Sequence, residues 1–152
     1  MAIDDDISFY ERVPTLGLLG RQALRILAIG AESRYVHGGD VLFNAGDEAD
    51  GAYVIQEGSF LLAVSEDDEG VKVGPYTLLG ELALLTETTR PVTATALEPS
   101  TVLRIPRSLF FKMLEGFPEA ARKLRDVLAA RTDQSTRDIH NVRAALDARE
   151  PK

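Results

Sequence analysis

A chain of 152 residues with 45% hydrophobic side chains and a mean hydropathy of −0.06 has the size and apolar content of one domain with a buried core. Those values exclude a disordered segment and a bundle of membrane spans. The lack of cysteine excludes disulfides and thiolate metal sites, and a net charge of −7 offers nucleic acid no general attraction, so any bound anion is held by a local site.

The N-terminal stretch MAIDDDISFY is acidic and lacks the basic-then-apolar layout of a secretory leader, so a cytoplasmic protein is expected. ISFYERVP reads as a short helix ended by Pro14. In LLGRQALRILAI, residues 18–29, Leu19, Ala23, Ile26 and Leu27 recur at helical spacing and predict a core-facing helix.

From residue 34 the period changes. The short runs VLF, YVI, FLLAV and VKV alternate with Gly, Asp and Asn, which predicts antiparallel strands joined by tight turns. SEDDEG at 65–70 reads as a solvated hairpin tip. Two further strands are expected near Thr93–Leu97 and Thr101–Ile105, the second closed by Pro106. RSLFFKMLEGFP then reads as a helix ending near Gly116, and Pro118 stands at the first turn of a long final helix. The fold class is therefore mainly β with flanking helices, in an antiparallel roll. Residues 1–116 make up the roll with its N-terminal helices; residues 117–152 are the C-terminal helix of the same domain.

Chemistry concentrates at residues 79–96, LGELALLTETTRPVTATA. GELALL has room for one or two helical turns between strand-like neighbours. A short helix leaves its first N–H groups unpaired and makes an anion site. Gly80 allows close backbone approach there, and Arg90 is able to return to the same place with a bidentate grip on a phosphate. Glu81 beside a phosphate makes sense as an acceptor for a hydroxyl on the same ligand. Glycine, carboxylate, helix start and arginine together describe a sugar-phosphate site. Two plainer readings stay open on spacing alone: Glu81 as ordinary complementation of a helix dipole, and Glu81–Arg90 as a structural ion pair. His37 and His140 lie far apart, no three-histidine metal set is available, and neither a G-x-S-x-G elbow nor a P-loop occurs. No enzyme activity, metal or cofactor is expected.

GELALL, five residues ending in Arg90, and PVTATA resemble the phosphate-binding cassette of the cyclic nucleotide-binding domain family. The resemblance extends from about residue 7 to 140, through Gly39-Asp40, Gly46-Asp47, Gly58 and RIPRSLFFKMLEGFPEAARKL. It implies the family's β-roll (a double-stranded β-helix, or jelly roll) with a long C-terminal helix that serves as lid or dimer element. It also implies a cyclic nucleotide ligand, cAMP or cGMP. Position by position, Glu81 would accept the ribose 2′-hydroxyl and Arg90 would clamp the cyclic phosphate. Gly80, Leu82 and Ala83 would offer backbone at the turn, and Thr93 matches the cassette's small hydroxyl residue while equally suiting a strand.

Pro91 departs from the pattern. The family residue after the arginine commonly donates its backbone N–H to the phosphate and often carries a hydroxyl; proline has neither. The lost bond is worth about 1.5–3 kcal/mol, or roughly 10- to 150-fold in affinity, unless a stiffer turn pre-aims Arg90. The missing hydroxyl favours cAMP over cGMP.

In the catabolite-activator branch of the family the C-terminal helix pairs subunits and supplies hydroxyls to adenine, and Ser135-Thr136 falls where that pair stands; solvated surface residues are the plainer reading. A heptad frame from Leu124 and Leu128 meets Arg131, Ser135 and Asp138 before Val142 and Ala145, too polar for an autonomous coiled coil. A homodimer completed by bound nucleotide is one reading; packing of Ile139, Val142 and Leu146 against the chain's own roll is the other. No winged helix-turn-helix stands among these residues, so DNA binding by this chain alone is not expected, and output would pass to a protein partner. The sequence thus reads as a cyclic nucleotide sensor or regulatory domain. The alternative is a ligand-free interaction module of the same fold, its site weakened by Pro91.

Overall fold

The structure of the chain, a computed structural model, describes residues 2–127. Helix α1 spans Ala2–Glu11. It stops before Pro14, with the N–H groups of Arg12 and Val13 donating to the carbonyls of Phe9 and Tyr10 in a tightened last turn. The helix expected over residues 18–29 is instead a 3-10 turn at Leu16–Leu19 followed by α2 at Arg21–Gly30. Gly20 separates them at φ 92° and ψ 151°, a conformation closed to a helix and open to glycine. Ala23 and Leu27 of α2 are buried as expected.

Among the described residues ten strands follow: β1 Glu32–Val36, β2 Val41–Phe43, β3 Glu48–Ala49, β4 Gly51–Glu57, β5 Phe60–Ala63, β6 Val71–Val73, β7 Leu78–Leu79, β8 Thr88–Thr89, β9 Thr93–Ala96 and β10 Ser100–Pro106. They form two four-stranded sheets, ordered β1-β10-β4-β7 and β2-β9-β5-β6, and a small β3-β8 ladder. All pairings are antiparallel. The runs VLF, YVI, FLLAV and VKV fall on β2, β4, β5 and β6. At the tip between β5 and β6 the Asp68 carboxylate accepts the N–H groups of Val64 and Gly70, which lowers its pKa.

Helix α3, Arg107–Gly116, starts directly after Pro106. Residues 118–127 are helical again, as Pro118 predicts. Among the described residues no helix is long and apolar enough to cross a membrane.

Two cores result. Between the two sheets, Phe43, Phe60, Ala94 and Ala96 meet Tyr53, Ile55 and Val102. On the outer face of the first sheet, Ala52, Val54, Leu103 and Ile105 pack against Tyr10, Leu24, Leu27, Phe110, Met113 and Leu124 from the helices. Alternation along β4 sends Tyr53 and Ile55 into the roll and Ala52 and Val54 to the helices. Residues 51–55 are consequently all buried, with apolar neighbours on both faces.

Candidate ligand-binding site

Strand β7 ends at Gly80, which takes a left-handed conformation, φ 86° and ψ 37°. The chain then makes a single 3-10 turn, Glu81–Leu84, with the Ala83 N–H donating to the Gly80 carbonyl. Sequence spacing predicts one or two helical turns here, and the turn formed is the tighter 3-10 kind. A four-residue turn aligns few peptide dipoles, so it contributes little field of its own. Its place is fixed by side chains. Leu84 is 1% exposed within the helical core and Ala83 is buried, whereas Leu82 points outward at 59% exposure. Burying a leucine contributes about 1.5–3 kcal/mol, enough to anchor so short an element.

The turn is tied from a second side by a residue the sequence reading did not single out. Arg107 Nε donates to the Ala83 carbonyl at 2.9 Å and Nη2 to the Ala49 carbonyl at 2.6 Å. It thereby holds the turn to strand β3.

Arg90 lies across from the turn, just after β8. Its backbone is held both ways by the Gly46–Asp47 bend: the Arg90 N–H donates to the Asp47 carbonyl and the Arg90 carbonyl accepts from Gly46, each at 2.8 Å. Gly46 takes φ 92°, so the bend requires a residue tolerant of positive φ. The side chain is 5% exposed. Its guanidinium carbon lies 4.6 Å from the ring centroid of Phe43 and 5.5 Å from that of Tyr53. Those rings stabilise the cation through their faces without meeting its hydrogen-bonding needs. Nε and Nη1 are buried and have no hydrogen-bond partner among the described residues. Arg90 also takes part in none of the ion pairs found there. Burial lowers its pKa, with Tyr53, Asp50 and Asp47 opposing that effect and Arg104 adding to it. A guanidinium stays charged under such a shift.

Glu81 is half-buried, and its Oε2 accepts a 2.6 Å hydrogen bond from the Thr15 hydroxyl. A cavity of about 300 Å³ opens beside the turn and the arginine. It is lined by Gly80, Glu81, Leu82, Ala83, Arg90 and Pro91, together with Ala49, Thr88 and Thr89 from the β3-β8 ladder. Six of the residues picked from the sequence therefore share one cavity. Thr93 does not line it: its Oγ1 accepts the Ala45 N–H at 2.9 Å, and it faces a different depression, beside Val41 and Thr95. Ser135, Thr136 and the dimer seam from Leu128 onward lie outside the described residues. Phe43, Tyr53, Thr15 and Arg107 were not predicted as site residues; each comes from an element remote in sequence, and no local pattern marks it.

The site can accept an anion at Arg90, offer a carboxylate to a hydroxyl, and enclose an apolar body between Ala49, Leu82, Ala83 and Pro91. Among the described residues no group of three or more His, Asp or Glu could hold a metal ion.

Comparison with known proteins gives a consistent result. Residues 33–117 match the family described as cyclic nucleotide-binding domain. A cyclic nucleotide-binding-like protein from Brucella abortus is 38% identical, with a TM-score of 0.65, over 74% of this chain and 99% of that one. The N-terminal domain of a transcriptional regulator from Streptomyces coelicolor is 29% identical, with a TM-score of 0.76, over 86% of this chain and 94% of that one. The lysophospholipase NTE1 of Chaetomium globosum is 32% identical over 63% of this chain. That alignment spans only 7% of the fungal enzyme's length.

Proposed function

The chain belongs to the cyclic nucleotide-binding domain family, and from that premise we propose that it binds a 3′,5′-cyclic mononucleotide, cAMP in preference to cGMP, as a regulatory module with no chemistry of its own. The observation that carries this reading is Arg90, a buried guanidinium that lines the cavity and whose Nε and Nη1 have no hydrogen-bond partner among the described residues. A buried charge without a partner is costly. A cyclic phosphate in the cavity would supply both the charge and the acceptors.

Glu81 lines the same cavity and would accept the ribose 2′-hydroxyl, while Gly80, Leu82 and Ala83 would bring backbone close to the sugar-phosphate. The preference for cAMP rests on Pro91, which lines the cavity yet has no N–H or hydroxyl to offer guanine or phosphate. Residence in the cytoplasm, where such ligands are made, goes with the same reading, as does output through a protein partner. The interaction-module alternative gains no support from an arginine left so exposed to the cost of burial.

The test is a thermal melt with cAMP, cGMP or 5′-AMP at millimolar concentration. Ligand at 100 times its dissociation constant adds about 2.7 kcal/mol, which raises Tm by roughly 5–10 °C in a domain of this size. A rise with cAMP, smaller with cGMP and slight with 5′-AMP, is expected. No shift with any of the three would overturn the assignment.

A further inference from the structure

Among the described residues only Thr15 and Tyr76 hold positive φ without being glycine, at 77° and 71°. Both stand where the N-terminal segment meets the stretch leading into the site. Tyr76 stacks on Phe9 with centroids 4.8 Å apart, and its hydroxyl accepts from Arg12 Nη1 at 2.7 Å. Thr15, with ψ −48°, donates its hydroxyl to Glu81 Oε2 at 2.6 Å and is 8% exposed.

Threonine is ill suited to that backbone. Its branched Cβ disfavours positive φ, and glycine would fit at no steric cost. What glycine cannot provide is the hydroxyl. The bond it makes is to an ionised acceptor and is half shielded from water, so it is of the stronger kind. A carboxylate has about four acceptor positions over its two oxygens. Thr15 therefore holds Oε2 of the group from the N-terminal side.

Resting on the reading of Glu81 as the acceptor for the ribose hydroxyl, we propose that Thr15 is a positioning residue of the ligand site. It holds the Glu81 carboxylate in the orientation that reads the 2′-hydroxyl, and so sets the discrimination between a ribose and a 2′-deoxyribose cyclic nucleotide. The N-terminal segment is then part of the selectivity apparatus as well as of the core.

The experiment is calorimetric titration of wild type, Thr15→Val and Thr15→Ser with cAMP and with 2′-deoxy-cAMP. Wild type binds both and prefers the ribose form. Thr15→Val lowers that preference about tenfold, the worth of a hydrogen bond to a charged group, chiefly by weakening cAMP. Thr15→Ser keeps the hydroxyl and restores the preference. Thr15→Gly removes the hydroxyl while suiting the positive φ, and carries the same expectation where the valine variant does not fold. Equal loss for both ligands, or no change in their ratio, would show that Thr15 serves the scaffold alone and overturn the proposal. Failure of wild type to bind either ligand would overturn the family-based function itself, and this role with it.

Discussion

Arg90 Nη1 fills the space that a Cβ on Gly80 would occupy. The two residues are therefore a matched pair: the left-handed glycine that starts the turn is also the gap through which the guanidinium reaches the cavity. Gly80→Ala should act on both functions. It incurs about 1–3 kcal/mol of backbone strain and drives Arg90 from its place, so Tm falls and the cAMP-induced rise disappears. Melts with and without ligand check this; a variant of lower Tm that keeps the full rise would contradict it.

Arg90→Met should separate stability from binding. It removes a buried charge that has no ion-pair partner among the described residues and keeps an apolar side chain of similar length against Phe43 and Tyr53. Such replacements are often neutral or stabilising by about 1–4 kcal/mol. The expected result is a ligand-free protein at least as stable as wild type that no longer binds cAMP. Chemical denaturation and calorimetric titration measure the two halves.

Pro91→Ala returns an N–H to the residue after the arginine. Because the Gly46–Asp47 bend already holds the Arg90 backbone at both its N–H and its carbonyl, removing the ring should leave the arginine aimed. The new donor then strengthens phosphate binding about tenfold, the lower end for a bond to a charged group. Unchanged or weaker affinity in titration would mean that the proline's rigidity matters more than the donor it lacks.

Alkaline stability should depend on Tyr10. Burial, with a smaller effect from Asp6, raises its pKa well above the ordinary value. The folded state thus holds the phenolic proton where the unfolded chain releases it. The contribution is full below about pH 10, the unfolded value, and is lost as pH rises from there. Urea unfolding between pH 8 and 11 should show that loss, and Tyr10→Phe should flatten it.

The strands were legible because their signals are local: apolar runs of strand length, broken by Gly46, Gly58 and Gly70, all of which take positive φ. The cavity's main residues were legible for a similar reason. Gly80, Glu81 and Arg90 stand close together in sequence, and the resemblance to a known cassette gave them roles. Helical spacing failed at Gly20, where one backbone conformation outweighs a continuous apolar pattern, whereas at GELALL the expected short helical turn forms, in the tighter 3-10 kind. Thr15, Phe43, Tyr53 and Arg107 were invisible because each reaches the site only through tertiary folding. A buried arginine without a partner also leaves no mark in a sequence, since the absence of an ion pair is a fact about three-dimensional neighbours.

Strand β4, buried on both faces, serves as a party wall between the helical side and the roll. Neither compartment can be opened without stripping apolar cover from the other, so heat should dismantle both in one cooperative step. Stabilisation gained at the cavity then reaches the helices as a change in how often they open, whatever small displacement accompanies it.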